Sequence, residues 1–503
     1  MNGLTLDACF DEAAARAPER PALCIGASVW TYAELQREKE RIADLLRRRQ
    51  LDGAGRAVGL LCEKNLTAFA GLLGIMASGN TYLPLSPRLP DQRLFQVASD
   101  SQLTGLIADR ASTPRAAALM GRLGHGFVIA EPGGEVVVDT APGVAPGDPA
   151  QAYLLYTSGS TGAPKGVAVS HANAVAFLQA MASVVHVVTK DRFTQFCELA
   201  FDFSIGEIFL CWQAGACLYV PSFAELMLPV NFVNRHGLTV WCSVPTVASN
   251  LHRLRALRRG TFPSLRLSMF CGEALPTRLA QAWQTAAPAC ALVNLYGPTE
   301  ATVFATAYHF DPDQPPDTDI VPLGEPLQGM GVRIAAQSDD PAVGELLLSG
   351  PQVVAGYWRN PGATATAFVR GADAVADGIW YRTGDLVSRD ARYGLLFHGR
   401  CDDQVKLRGR RVQLAEIECV LRQLAPGAMV AVVPVSAEGG ACDHVVAFCS
   451  AADCDPQALL AGCRALLPDY MVPDRIVRME PLPLTHNGKI DYGHLSRQAA
   501  AGR

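Results

Sequence analysis

The stretch "YTSGSTGAPKGV", residues 156–167, sets Thr157, Ser158, Ser160 and Thr161 among Gly159, Gly162 and Gly166, with Lys165 near its end. Glycines let backbone N–H groups come close to an anion, hydroxyls add donors and a lysine adds charge. That is the chemistry of a phosphate cradle. The spacing is not that of a Walker A loop, because Lys165 is preceded by Pro164 and followed by Gly166 where that motif needs glycine before the lysine and a hydroxyl after it. On its own, a flexible surface turn is the competing reading of these residues.

The loop has companions. In chain order they are "FDFSIGEIF" (201–209), "NLYGPTEATV" (294–303), "GELLLSGPQVVAGYW" (344–358), "YRTGDL" (381–386), "GRCDDQVKLRGRRVQLAEIE" (399–418) and "LPLTHNGKID" (482–491). Taken singly, each has a bland alternative: a turn at Gly297-Pro298, a helix cap at Asp385, a surface charge at Arg400. Taken together and in order, they resemble the core motifs of the adenylate-forming superfamily. Within it the chain is most similar to the adenylation domains of nonribosomal peptide synthetases and to D-alanine–carrier protein ligases, and the resemblance runs over essentially its whole length.

The resemblance implies a reaction in which a carboxylate joins the α-phosphate of ATP and pyrophosphate leaves. Two anions must meet, so donors and positive charge have to be concentrated. It implies that Thr157 to Gly162 and Lys165 close over the β- and γ-phosphates. Thr299 and Glu300 would sit at the α-phosphate and Mg²⁺, a hard ion suited to a carboxylate. Tyr296 and the backbone at Gly297 would pack against adenine, and Asp385 would accept the ribose hydroxyls with Arg400 assisting. Lys489 would bridge the substrate carboxylate and the α-phosphate, a task that suits a compact ammonium on a long stem; Lys165 would then order the loop over the departing pyrophosphate. Asp402 matches a hinge residue about which the C-terminal part is expected to turn after adenylation, exchanging the Lys489 face for one bearing Gly409, where a pantetheine arm would approach the backbone.

Asp202 matches the position that pairs with a substrate α-ammonium; a buried cation needs a counter-ion. This favours an amino acid over aryl or fatty acids. The remaining pocket positions implied by the resemblance are Phe203, Gly206, Cys242, Met269, Cys271, Leu295, Val303 and Phe304. None is charged or strongly hydrogen-bonding, so a charged or amide side chain would be left unpaired there and rejected. Phe203, Met269 and Phe304 fill volume and Gly206 leaves some, which reads as a small or medium aliphatic amino acid: alanine, 2-aminobutyrate, valine or proline. "MFCGEALP" around Cys271 is similar to the D-alanine ligases, whereas 399–418 is similar to ordinary peptide-synthetase sequence. An L-amino acid is the first reading and a D-alanine–carrier protein ligase the alternative. Ser86, in "TYLPLSP", stands where many relatives have Asp.

The elements that must position these residues follow from periodicity. "AVGLLCE" then "LTAFAGLLGIMASG", "LTVWCSV" then "PTVASNLHRLRAL", and "LRLSMFCGE" then "PTRLAQAWQTA" alternate strand-like and helix-like patterns, which predicts α/β architecture with mostly parallel sheets. After about residue 330 short strands between Gly and Pro turns predict a β-rich section. A hairpin and a helix follow Arg400, and then a small β-α-β unit. A chain of 503 residues exceeds one ordinary domain. Together with the resemblance, this implies a large N-terminal adenylation core, residues 1–399, with two αβ sheet subdomains and a β-rich one. A hinge joins it to a small α+β C-terminal domain, residues 400–503.

A net charge of −5 argues against a nucleic-acid binder. The longest low-charge run is broken by Gly, Ser, Asn and Pro and reads as a buried helix then a strand, not a membrane span; the N-terminus lacks a signal-peptide core. Fifteen scattered cysteines with no C-x-x-C pair read as reduced, mostly buried thiols rather than a zinc site or a disulfide framework. A soluble, cytoplasmic enzyme is expected, and the resemblance implies a monomer. Only 14 residues follow Lys489, too few for a carrier domain, and no condensation-type segment precedes residue 1. A free-standing enzyme that loads a separate carrier protein is therefore expected. A coenzyme A ligase and a non-catalytic nucleotide-binding protein are the competing functions.

Overall fold

Strands buried on both faces alternate with helices along most of the chain. The computed structural model describes residues 4–49, 51–131, 133–140, 147–159, 164–336, 342–371, 378–407, 409–436, 442–450, 455–484 and 490–501. It divides into two compact units: Met1–Pro87, Ala98–Leu155 and Gly166–Gly399 form the first, and Arg88–Val97, Tyr156–Lys165 and Arg400–Arg503 the second.

The first unit holds a nine-stranded sheet whose middle strands, Ala291–Tyr296, Leu267–Phe270, Val240–Ser243, Arg192–Thr194, Cys217–Val220 and Pro21–Ile25, run parallel in that order. Val240–Ser243 and Leu267–Phe270 are buried along their whole length, the pattern of parallel strands covered by helices on both faces. A seven-stranded sheet is built around parallel strands Gly105–Asp109, Ala57–Leu61 and Thr81–Leu85, again buried throughout. One core runs through residues of both sheets, with Trp212 packed edge-on to Phe10, Phe69 and Phe209. A third, five-stranded sheet comprises Gly331–Ala336, Gly344–Ser349, Phe368–Arg370 and Ile379–Asp390, paired antiparallel, and Gly394–Arg400. The α/β class and the β-rich section are as the periodicity predicts, and the two αβ sheets are as the resemblance implies.

The second unit has its own sheet: Arg410–Gln413, Gln404–Leu407, Cys442–Ser450 and Met429–Ser436, with Arg475–Arg478 added on Cys442–Ser450. The hairpin after Arg400 therefore belongs to that sheet, through Leu407 opposite Cys442. Its helices pack over two apolar clusters centred on Ile417, Val432 and Cys463, and on Val446, Phe448 and Leu495.

Among the described cysteines eleven are buried, Cys401 alone is exposed and none is bonded to another. No described helix is long and apolar enough to cross a membrane.

Candidate active site

Parallel α/β sheets offer their ligand sites beyond the carboxyl ends of the strands. Three neighbouring strands of the nine-stranded sheet end at Cys242-Ser243, Met269-Phe270 (with Cys271 following) and Leu295-Tyr296. Cys242 lies in register with Met269. Burial pushes the Cys242 thiol up, and the charge of Glu207 adds to the effect; this thiol is packing, not a nucleophile. Cys271 and Leu295 are buried beside them.

The helix Asp202–Gln213 begins at Asp202. The Asp202 carboxyl is pushed up to about 6, by desolvation first. A hydrogen bond from Thr299 pulls it down, the charge of Glu300 raises it, and backbone N–H groups at the helix start lower it again. Asp202, Thr299 and Glu300 are thus neighbours. Burial disfavours the charged carboxylate there.

Glu300 is buried, and its Oε1 accepts a hydrogen bond from Tyr357 Oη at 2.8 Å. Tyr296 Oη donates to Asp385 Oδ2 at 2.6 Å, both side chains being buried. This short, charge-assisted bond joins the residue expected at adenine to the one expected at ribose. Gly297 has to be glycine: a Cβ there would lie 2.5 Å from the Val303 carbonyl oxygen and 2.7 Å from Phe304 Cα.

Around Gly206 two pocket side chains stand close. A Cβ on Gly206 would stand 3.2 Å from Val303 Cγ1 and 3.4 Å from Phe304 Cε2. These two residues line the position that a side chain at 206 would take. Phe304 is in turn locked edge-on between Phe203 and Phe177, with ring centroids 5.2 and 5.6 Å away.

In the second unit Ser158 Oγ donates to the Arg411 carbonyl at 2.7 Å. Thr157 Oγ1 reaches the Lys165 carbonyl only at 3.5 Å, and the Glu416 carboxylate pairs with Arg93 at 2.8 Å. Arg400 forms a two-pronged pair with Asp402, Nε to Oδ1 at 2.7 Å and Nη2 to Oδ2 at 3.0 Å. Burial raises the Asp402 carboxyl, but the Arg400 hydrogen bond and charge overcome this and hold it low. The expected ribose partner and the expected hinge residue are each other's partners. Ser160, Thr161, Gly162 and Lys489 lie outside the described residues.

A family model described as "AMP-binding enzyme" matches residues 10–358, and one described as "AMP-binding enzyme C-terminal domain" matches residues 416–489. The chain belongs to the AMP-binding enzymes. It is an adenylation domain of the adenylate-forming superfamily, a ligase that uses ATP. This AMP-binding enzyme is 33% identical over 98% of its length to "Novobiocin biosynthesis protein H" of Streptomyces niveus, covering 82% of that protein. It is also 33% identical over 98% of its length to a linear gramicidin synthase protein of Brevibacillus parabrevis, of which it spans only 6%. Among solved structures it is similar to the Vibrio cholerae adenylation domain AlmE in complex with glycyl-adenosine-5'-phosphate. The TM-score is 0.85 at 29% identity, over 99% of this chain and 98% of that one.

Motif reading alone does not find Tyr357 and Gln352. Both lie in "GELLLSGPQVVAGYW", but nothing in their spacing says that one holds Glu300 and the other, wholly buried, holds the backbone beyond it. The residues present fit a hard divalent cation: Glu300 offers a buried carboxylate with one oxygen steadied by Tyr357, the oxygen-donor chemistry such ions take.

Proposed function

We infer that the enzyme activates a small or medium aliphatic amino acid as its aminoacyl-AMP and passes the acyl group to the phosphopantetheine thiol of a separate carrier protein. The observation that carries this reading is Asp202. It is a carboxylate at the start of a helix, bonded to Thr299 and raised to about 6 by desolvation, beside side chains that are buried and apolar. A substrate ammonium restores the charge balance there, and its aliphatic side chain meets Phe203, Val303 and Phe304. Because Val303 and Phe304 line the space at Gly206, the reading favours the small end of the range, alanine or 2-aminobutyrate before valine or proline.

In the first step a substrate carboxylate oxygen attacks the α-phosphorus of ATP, and the bond to the β-phosphate breaks to release pyrophosphate. Tyr296 and Asp385 hold adenosine; Thr157 to Gly162 and Lys165 hold the leaving phosphates; Lys489 brings the two anions together. A magnesium ion held at Glu300 would offset the charge gathered on the phosphates. In the second step a thiol sulfur attacks the acyl carbonyl and AMP leaves. The AlmE structure, with glycyl-adenosine-5'-phosphate, supports a small amino acid. The likeness to a linear gramicidin synthase protein supports a peptide-synthetase context.

The test is amino-acid-dependent exchange of labelled pyrophosphate into ATP, screened over the proteinogenic amino acids, D-alanine and 2-aminobutyrate. Exchange confined to small aliphatic amino acids is expected, and D-alanine alone would select the alternative ligase. No exchange with any amino acid would count decisively against the reading. Supplying coenzyme A or a phosphopantetheinylated carrier as acceptor separates the coenzyme A ligase alternative.

A further inference from the structure

The turn from Gly297 to Phe304 closes on itself, since the Ala305 N–H donates to the Tyr296 carbonyl at 2.7 Å. Inside it Thr302 and Val303 stand at φ of 55° and 69°. β-Branched residues rarely adopt this left-handed region, and they persist there only where the surroundings leave no other option. Those surroundings are largely one side chain. Gln352 is wholly buried. Its Nε2 donates to the carbonyl oxygen of Phe304 at 2.6 Å and to those of Ala301 and Thr302 at 3.3 Å. Its own carbonyl accepts from Thr302 Oγ1 at 2.5 Å. Gln352 Oε1 is buried with no partner among the described residues, a cost that an apolar side chain of the same length would not carry. What the amide contributes lies in its N–H groups and the carbonyls they hold.

The front of the same turn is held separately. The Val354 N–H donates to the Glu300 carbonyl at 2.9 Å and Tyr357 Oη to the Glu300 carboxylate at 2.8 Å. Residues 299–300 therefore rest on Val354 and Tyr357, and residues 301–304 on Gln352.

We propose that Gln352 is a positioning residue for amino acid selection: by clamping the carbonyls of Ala301, Thr302 and Phe304 it holds the turn in its strained form and sets where Val303 and Phe304 stand against Gly206. It never touches substrate; it acts through those two side chains. The assignment of the pocket rests on the function proposed above, while the clamp itself does not.

The test uses the full-length chain with Q352M, which keeps length and removes the amide, and with Y357F. In pyrophosphate exchange Q352M is expected to raise the amino acid KM by about tenfold or more. It should also bring toward parity a one-methylene discrimination that in a fitted apolar pocket is about 10- to 200-fold. The ATP KM should stay within about twofold of the parent, because uniform damage would move both constants. Y357F is expected to do the reverse, shifting ATP and magnesium dependence while discrimination survives. Retained discrimination in Q352M, or amino acid and ATP KM rising in step, overturns the proposal. A crystal structure of Q352M reads the clamp without any activity: Thr302 and Val303 leaving the left-handed region supports it, and both staying there refutes it. Should Q352M not fold, Q352N, whose amide is one methylene short of the three carbonyls, is read in the same two ways. A relaxed turn in a protein whose parent activates no amino acid would sink the proposed function and leave the clamp standing.

Discussion

Asp202→Asn is expected to make the protein more stable and nearly inactive at once. Carrying this carboxyl from 3.8 to about 6, at 1.36 kcal/mol per pH unit, puts the cost of ionising it in the fold at about 3 kcal/mol. Asp202 is partly exposed, and solvent screening brings the usable figure to about 1–3 kcal/mol. Asparagine keeps the shape, the place at the start of the helix and a partner for Thr299, but carries no charge to desolvate. The sign follows from proton binding. Between about pH 4 and 6 the folded chain holds a proton at Asp202 that the unfolded chain has lost, so this group's contribution to stability falls as pH rises through that window. Above about 6 the whole penalty is in place.

The melting temperature of the variant should therefore equal that of the parent near pH 4, rise above it between pH 4 and 6.5, and stay a few degrees higher at pH 7.5. Activity goes the other way. Removing one partner of a buried ion pair costs about 3–5 kcal/mol, so kcat/KM for the amino acid should drop by roughly a hundredfold to several thousandfold. In the parent enzyme, kcat/KM for the amino acid should rise with pH through about 6, where the free-enzyme carboxylate forms, and then level off. The assays are differential scanning fluorimetry from pH 4 to 8 and pyrophosphate exchange over the same range. A variant no more stable than its parent at pH 7.5, or a stability difference that ignores pH, would refute the argument; so would near-normal amino acid affinity in the variant.

Lys489→Ala should nearly abolish amino-acid-dependent pyrophosphate exchange while transfer to the carrier from preformed adenylate largely survives; normal exchange would remove Lys489 from the first step. Gly206→Ala puts a methyl 3.2 Å from Val303 Cγ1, an overpacking worth about 1–3 kcal/mol. A shift of preference toward the smallest amino acids in the exchange screen is expected, and an unchanged profile would separate Gly206 from the pocket. Gly297→Ala places its methyl against backbone, 2.5 Å from the Val303 carbonyl oxygen. It should weaken ATP and amino acid use together, in contrast with the split expected for Q352M, and steady-state KM values for both substrates check this.

Much of the fold was legible because burial on both faces writes itself into strand composition. "LTVWCSV" and "LRLSMFCGE" are apolar runs with turn residues after them, and their strands, Val240–Ser243 and Leu267–Phe270, are covered throughout. The hairpin after Arg400 was legible as a hairpin, but not as part of the C-terminal sheet. A single parallel bridge from Leu407 to Cys442 joins it there, and one bridge leaves no pattern in composition. Within the site, the resemblance to the adenylate-forming motifs identified Asp202, Thr299, Glu300 and Asp385 as candidates. It did not reveal that Thr299 bonds Asp202, that Tyr296 bonds Asp385, or that Arg400 and Asp402 pair with each other, because such bonds form between residues brought together only by the fold.

How much space Gly206 leaves has a specific physical source. A glycine in a pocket leaves space only if its neighbours stay back, and Val303 and Phe304 do not. Their approach depends on φ of 55° and 69° at Thr302 and Val303, conformations that local preference at β-branched residues argues against. Reasoning from propensity would place that backbone elsewhere and the pocket wall with it. The strain is held by Gln352, about fifty positions on along the chain, through carbonyl groups that every residue possesses, so neither partner leaves a signature of residue type. Local rules and the global fold tend to part company where a site is being shaped. The side chains at 203, 206, 303 and 304 say what kind of surface the pocket has. How large it is depends on a turn whose conformation their identities do not determine.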